Sequence, residues 1–254
     1  EKRILRGRTV EMTAQYSETF RACSYDGDVY NNLQPGAILR FAQQIAIDQC
    51  TELGLDTEFY QRTHTAFLMA RQTLVFQTPA PARGEYTLVT HPSGMKRAAY
   101  RRYTRVLNSE GEQVACLDSV WMLVDTGTKR ILRREPEGYG AVRWPQQVEY
   151  LELDLKLTRA AELEDCGERR AGYTLCDENG HLNNTRYADL FLDALPAGAL
   201  TPSGVRQITL YYHRETPLGQ SFSLRRGQAG PGVWYLCGER DGLCCVEGNI
   251  WINP

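Results

Sequence analysis

Residues 35–54 read PGAILRFAQQIAIDQCTELG, and their spacing predicts a long amphipathic helix. Pro35 suits the first turn of a helix and Gly54 suits its end. Apolar side chains recur at the three- and four-residue intervals that place them on one helical face, and these are Ile38, Phe41, Ala42, Ile45, Ala46, Cys50 and Leu53. A helix with such a face packs against another layer, so the neighbouring segments are expected to form that layer.

Strand-like segments flank this helix, and the second half of the chain repeats the arrangement. Each segment carries β-branched or aromatic residues between turn signals. In the first half a strand at 16–24 precedes the helix, and later strands lie near 66–76, 84–91, 97–107 and 112–124. In the second half a helix from Thr185 through Leu195 is followed by strands near 204–214, 219–226, 232–240 and 243–252. The pattern predicts an α+β fold in which each helix packs against an antiparallel sheet.

Three landmarks recur in the same order in the two halves and support an internal duplication. They are Thr78-Pro79 with Thr216-Pro217, Trp121 with Trp251, and Asp26-x-Asp28 with Asp177-x-Asn179. Two such units in one chain predict a pseudo-dimer. We therefore expect an N-terminal unit over 1–139, a linker over 140–169 and a C-terminal unit over 170–254.

The composition narrows the classes of function. The chain has 254 residues, a formal net charge of −2 and 24% charged residues, so it lacks the basic excess of a nucleic-acid-binding protein. No run of about 18 apolar residues is present, and the first residues, EKRILRGRTVEM, contain no apolar signal-peptide core. The sequence therefore predicts no membrane span and a cytoplasmic protein. The eight cysteines include no Cys-x-x-Cys pair and the four histidines no His-x-x-x-His, so we expect reduced thiols, no metal and no other cofactor.

A row of polar side chains precedes the second helix, where residues 176–187 read CDENGHLNNTRY. The DENG run is a turn by its chemistry, and the two asparagines are typical of a helix cap. If DENGH is extended where it crosses the sheet, alternate side chains face one cavity, and these are Asp177, Asn179 and His181. The helix behind them would add unpaired backbone N–H groups and the positive end of its dipole, which suit an oxyanion.

These segments resemble those of the acyl-acyl-carrier-protein thioesterases, the double-hotdog enzymes that release fatty acids from biosynthesis. The resemblance runs from FRACSYDGD and AQQIAIDQCTELG, through SVWMLVDTGTKR, to DENGHLNNTRYADLFLDAL and YYHRET. Its most specific part is Asp-x-Asn-x-His-x-Asn-Asn followed by Tyr187. It implies a tandem hotdog fold, with two long helices each wrapped by an antiparallel sheet, and catalytic residues in the second half.

The resemblance also implies a division of roles at the site. Thioester hydrolysis needs an activated water, donors for the developing oxyanion and a rigid means of aiming both. Glu215 would be the general base for water, and Asn179 would orient that water. His181 would polarise the carbonyl or hydrogen-bond the base, and Asp177 would fix the imidazole or the loop.

Two residues depart from the family pattern, in which the segment at 212–216 reads Tyr-Arg-Arg-Glu-Cys. Thr216 stands where many relatives have cysteine, so a cysteine nucleophile is impossible there and water attack assisted by a carboxylate is expected. His213 replaces an arginine, which bears on how the Glu215 side chain is held.

The implied partner is an acyl carrier protein that carries a fatty acyl-phosphopantetheine. Such a carrier is acidic, so a local basic surface is expected to bind it. Side chains two apart on a strand share a face, and Arg97, Arg101 and Arg105 would form one basic stripe there. These arginines could equally form a solvent-exposed strand face that binds no partner. A hotdog acyl-CoA thioesterase, a dehydratase for short chains and a catalytically silent acyl-binding module are alternative functions, and homodimer formation stays open.

Overall fold

The computed structural model describes residues 2–5, 8–11, 15–142, 144 and 153–253, with side chains from residue 15 onward. Two short strands near the start, β1 (Lys2–Leu5) and β2 (Arg8–Glu11), pair with each other as an antiparallel hairpin outside the main sheet. Within this described part, no helix combines the length and the apolar character that crossing a bilayer requires.

Ten antiparallel strands form one continuous sheet. The first half contributes β3 (Tyr16–Arg21), β4 (Thr65–Phe76), β5 (Glu85–Pro92), β6 (Ala99–Leu107) and β7 (Gln113–Asp125). The second half contributes β8 (Glu164–Arg170), β9 (Val205–Tyr212), β10 (Ser221–Gly230), β11 (Val233–Arg240) and β12 (Leu243–Ile252). From the two edges inward the order is β3-β5-β6-β7-β4 and β8-β10-β11-β12-β9, so the predicted duplication is visible in the sheet topology.

The two halves of the sheet meet where β4 pairs with β9. Thr73 lies opposite Thr209, and their buried hydroxyl groups are 2.8 Å apart. The pairs on either side are Leu74 with Ile208 and Gln72 with Leu210, so the register is symmetric about the threonine pair. Because the strand order is also the same from each edge inward, the halves are related by an approximate two-fold axis at this junction.

The predicted helix at 35–54 is confirmed by α1 (Pro35–Glu52). Pro35 occupies its first position, where the missing N–H group has no helical partner to lose. The buried face carries the large side chains of Ile38, Leu39 and Ile45 and contacts β3 and β5. The α+β prediction is thereby confirmed, since the apolar face of the helix is covered by the sheet.

The second predicted helix is shorter than expected. It is α3 (Arg186–Asp193), eight residues instead of the predicted span Thr185–Leu195, so the expectation of two long helices is wrong in the second half. Leu195 precedes Pro196, and a residue before proline disfavours helical backbone, which accounts for the early end. The short helix is held by burial of its apolar face, with Phe191 fully buried.

One helix was missed by the sequence patterns. It is α2 (Thr57–Thr63), between α1 and β4. The side chain of Asp56 caps it by accepting a hydrogen bond from the Phe59 N–H at 2.8 Å. Phe59 packs edge-on against Tyr139 in a small apolar cluster apart from the main core. Seven residues are too few to show helical periodicity.

The segment between the two halves lies against strands β9 and β12 of the second half. Thr158 is paired with Asn249 of β12 through two hydrogen bonds, of 2.7 and 2.8 Å. The Tyr211 hydroxyl on β9 donates to the carbonyl of Leu155. The stretch predicted as a linker over 140–169 also contains the first residues of β8, which pair with β10.

Candidate active site

The DENG stretch before α3 is a tight turn. The Asp177 N–H donates to the His181 carbonyl at 3.2 Å, and the Gly180 N–H donates to the Asp177 carbonyl at 3.0 Å. Gly180 has φ +75°, a conformation that glycine adopts without steric cost. The expectation of an extended DENGH segment is therefore wrong, because the turn preference of these residues prevails.

The turn places Asn179 apart from the other predicted site residues. Asn179 lies at the exposed tip, and its backbone N–H donates to the Asp177 carboxylate at 3.0 Å. Alternation along a strand predicted that Asn179 would share one face with Asp177 and His181. The turn removes that alternation, so only Asp177 and His181 remain side by side.

His181 is brought next to Glu215 by pairing between the two loops. His181 forms a β-bridge with Pro217, and the Leu182 N–H donates to the Thr216 carbonyl at 2.9 Å. The His181 Nε2 atom lies 3.7 Å from Glu215 Oε1, and its Nδ1 atom lies 3.9 Å from Asp177 Oδ1. The three side chains thus form a row in the order Asp177, His181, Glu215.

The row is partly buried at Asp177 and His181 and exposed at Glu215. The His181 side chain is 18% exposed, whereas the Glu215 side chain is 59% exposed. The Nδ1 atom of His181 is buried and has no hydrogen-bond partner among the described residues. Both separations exceed a hydrogen bond by less than 1 Å, and such contacts often tighten only when substrate is bound.

Asn183 holds the turn to the start of α3, a role that sequence patterns assigned only as a helix cap. Its Nδ2 group donates to Asp177 Oδ2 at 2.9 Å. Its Oδ1 atom accepts from the Thr185 N–H at 2.9 Å and from the Thr185 hydroxyl at 2.6 Å, and the Arg186 N–H donates to its carbonyl. The N–H groups of Thr185 and Arg186 are therefore occupied, contrary to the prediction that this helix start offers them to an oxyanion.

Thr216, at the position where the family resemblance leads one to expect cysteine, is fully buried. Its hydroxyl lies 3.0 Å from the Tyr187 hydroxyl in the protein interior. Burial raises the pKa of Tyr187 to about 12, although the Thr216 hydrogen bond acts in the opposite direction. Tyr187 is therefore a neutral phenol at neutral pH, and this pair packs α3 against the loop.

The first half carries an equivalent turn without the catalytic residue types. The Asp28 N–H donates to the Asn32 carbonyl at 2.8 Å, and Asn32 bridges Pro81 as His181 bridges Pro217. Asp28 therefore corresponds to Asp177. The sequence landmarks had aligned Asp26 with Asp177, so that alignment was wrong by two residues. Asn32 then stands at the position of His181, and Pro79 stands at that of Glu215.

A cleft of about 220 Å³ borders Asp177 between the two halves. Its walls include Arg40 and Gln43 of α1 and Arg186 of α3. The two arginines share the carboxylate of Asp189, with nitrogen to oxygen distances of 2.7 and 3.5 Å. The predicted site residue Asp177 therefore borders a surface cleft whose walls include two arginines paired with Asp189.

The predicted basic stripe on β6 is interrupted at its centre. Arg97 is exposed in a turn, at φ +53°, and Arg105 is half-buried. Arg101 forms an ion pair with Asp118, whose side chain is fully buried, including a hydrogen bond of 3.2 Å from Nε. The charge of Arg101 is thus balanced within the fold, and the expectation that it contributes to a docking stripe is corrected.

The described residues contain one set of side chains spaced for a metal ion. The ligand atoms of His213, Cys244 and Glu247 lie within 4.8 Å of one another. The Arg159 guanidinium, however, donates to both oxygens of Glu247, at 2.9 and 2.8 Å. A guanidinium at the carboxylate opposes a cation by charge, so this cluster fits an ion-pair network better than a metal centre.

Fold and site together define a two-unit α+β protein with a carboxylate–histidine–carboxylate row in its second unit. Comparison with protein families identifies the acyl-ACP thioesterase N-terminal domain at residues 13–141 and the acyl-ACP thioesterase C-terminal domain at residues 168–229. The chain belongs to the acyl-ACP thioesterase family.

A curated relative agrees with this assignment. A chloroplastic palmitoyl-acyl carrier protein thioesterase from Gossypium hirsutum is 25% identical over 223 residues, which are 82% of this chain and 54% of that protein. The chain thus spans about half the length of this curated relative.

Two solved structures share the fold. A 12:0-ACP thioesterase from Umbellularia californica superposes with a TM-score of 0.77 at 16% identity, over 96% of this chain and 99% of that one. An acyl-ACP thioesterase from Bacteroides thetaiotaomicron superposes with a TM-score of 0.74 at 14% identity, over 94% and 97%. The likeness confirms the double-hotdog fold that the family resemblance implied.

Proposed function

We propose that the protein hydrolyses the thioester of a fatty acyl group on an acyl carrier protein, giving a free fatty acid and the free carrier thiol. The observation that carries the proposal is the position of His181, with its Nε2 atom 3.7 Å from the Glu215 carboxylate. A carboxylate beside an imidazole, open to solvent on one side, can take a proton from water as that water attacks a carbonyl.

Each step can be assigned to a group of this chain. Glu215 accepts a proton from water, and the water oxygen bonds to the thioester carbon. The carbon–sulfur bond then breaks, and the accepted proton passes to the leaving thiolate through His181. Asp177, held by Asn183, keeps the imidazole in place, whereas Asn179 is assigned no step because it lies at the exposed tip of the turn.

Carrier recognition and cellular location are further parts of the proposal. Arg97 and Arg105 are assigned to binding of the acidic carrier, whereas Arg101 supports the fold through Asp118.

All eight cysteines are free thiols, which fits a reducing compartment such as the cytoplasm. Homodimer formation stays a prediction.

A panel of thioesters tests the proposed function against its alternatives. Acyl-ACPs, the matching acyl-CoAs and a short 3-hydroxyacyl-ACP are incubated with the protein, and free thiol is measured. We expect faster thiol release from saturated acyl-ACPs than from acyl-CoAs. Preference for acyl-CoA would indicate the hotdog acyl-CoA thioesterase. Dehydration without thiol release would indicate a dehydratase, and binding without turnover a silent module.

Chain-length preference is expected to depend on the buried face of α1. Ala42 and Ala46 are 4% and 6% exposed, and an acyl chain bound under this helix would contact both. Replacing either with leucine should shift the preferred substrate towards shorter acyl groups, as measured across a chain-length series of acyl-ACPs.

Ile47→Phe is the matched control, because it adds bulk to the same helix at a half-exposed position. Overpacking a core can lower stability by about 1–3 kcal/mol, so melting temperatures are compared first. Well-folded variants with an unchanged chain-length profile would show that the acyl chain lies elsewhere.

Hydrolysis should not require any cysteine. Thr216 occupies the position of the cysteine in many relatives, and its hydroxyl is engaged with Tyr187. A variant in which all cysteines are replaced by alanine or serine should keep kcat within a few-fold of wild type, provided circular dichroism shows the native fold. Loss of turnover in a folded variant would revive a thiol mechanism.

A further inference from the structure

The chain is kinked directly before Glu215, after β9 ends at Tyr212. The backbone N–H groups of His213 and Arg214 both donate to the carbonyl of Cys245, at 2.8 and 3.1 Å. Two successive residues therefore face one residue of β12, which is the arrangement of a β-bulge. A bulge bends its strand and changes the direction of the side chains that follow it. Here the side chain that follows is Glu215.

The ring of His213 ties this bulge to a buried carboxylate. Its Nε2 atom lies 3.0 Å from Oε1 of Glu247, which is 3% exposed on β12. Glu247 also accepts a hydrogen bond of 2.7 Å from the Tyr235 hydroxyl and two from Arg159. Burial alone would raise the pKa of Glu247, but the hydrogen bonds from Arg159, Tyr235 and His213 outweigh it and lower that pKa to about 2. Glu247 is therefore a charged, fixed anchor at neutral pH.

A second contact holds the backbone of Glu215 itself. Arg240, the last residue of β11, donates from Nη1 to the Glu215 carbonyl at 3.2 Å. The Glu215 side chain, in contrast, is largely in solvent, and its one ion-pair contact in the described structure is with His181. The direction of that side chain is thus set by the backbone around it.

We propose that His213 is a positioning residue, which uses its bond to Glu247 to fix the bulge that turns Glu215 towards His181. Arg159 extends this anchor to the segment between the two halves, because it binds the same carboxylate. The inference rests on the proposed function, in which Glu215 is the general base. The His213 side chain is itself 40% exposed, so its removal leaves no large cavity and its effect on catalysis can be separated from an effect on stability.

Four proteins test this inference: wild type, His213→Ala, Glu215→Gln and the double variant, assayed in the steady state over a range of concentrations of a saturated acyl-ACP. We expect His213→Ala to lower kcat about 10-fold or more, with little change in KM or melting temperature, because misdirecting a base weakens the transition state and not substrate binding. In the Glu215→Gln background the same change should have no further effect, since its target is already absent.

Two additional variants sharpen the result. His213→Gln keeps an N–H donor near the position of Nε2 and should restore most of kcat, whereas Arg214→Ala alters the exposed neighbour and should leave kcat unchanged. An unchanged kcat in His213→Ala would overturn the inference, and so would an equal loss in both backgrounds. A wild-type protein that hydrolyses no thioester would instead remove the proposed function, and the inference with it.

Discussion

Glu215→Gln is expected to lower kcat for acyl-ACP hydrolysis by about 10² to 10⁴, the usual contribution of a general base. Glutamine keeps the size and hydrogen-bonding reach of the side chain but cannot accept the proton of water. KM should change little, because the lost interaction is used mainly in the transition state. Fatty acid release measured over a range of substrate concentrations separates kcat from KM.

Glu178→Gln is the matched control for this experiment. Glu178 lies in the neighbouring turn, is exposed, and undergoes the same chemical change, so its variant should keep wild-type kcat. Near-normal turnover in Glu215→Gln would contradict the assignment of the base. Equal losses in the two variants would point to the general charge of the surface and not to one carboxylate.

His181→Ala is expected to lower kcat by about 10² or more. The imidazole lies between two carboxylates, at 3.9 Å from Asp177 and 3.7 Å from Glu215, where it can hold the base and pass its proton to the leaving sulfur. Its removal also leaves Glu215 without the neighbour that faces it. The measurement is steady-state release of fatty acid at saturating substrate, with the native fold checked by the melting temperature.

Asn32→Ala provides the control, because Asn32 occupies the equivalent position in the first half. The equivalent of Glu215 there is Pro79, so no general base is available and kcat should stay within a few-fold of wild type. A comparable loss in Asn32→Ala would show that both halves contribute to catalysis. Normal turnover in His181→Ala would contradict its role.

Sequence patterns were most informative where one regular period ran through many residues. The apolar spacing of 35–54 predicted α1 closely, and alternation between turn signals located β4 to β7 and β9 to β12 within a few residues. The patterns failed for short elements. The seven residues of α2 show no period, and α3 ends early because of Pro196.

Three of the four candidate catalytic residues lie together in the structure, but their geometry was not predictable from the sequence. Asp177, His181 and Glu215 do come together, although pairing between 180–182 and 216–218 is a long-range contact that no local pattern shows. Strand alternation predicted that Asn179 would share a face with Asp177 and His181. The segment forms a turn instead, and Asn179 lies at its exposed tip. The ion pair of Arg101 with Asp118 also depends on strand register, which the sequence alone does not specify.

Product release from one acyl-ACP tests the catalytic role of this row of side chains most directly. Wild-type protein and a His181→Ala/Glu215→Gln double variant of equal melting temperature are each mixed with the substrate, and free fatty acid and free thiol are measured together. We expect wild type to release both in equal amounts and the double variant to release them at least about 100-fold more slowly. Equal rates of release by the two proteins would contradict the proposal that this row of side chains carries the reaction.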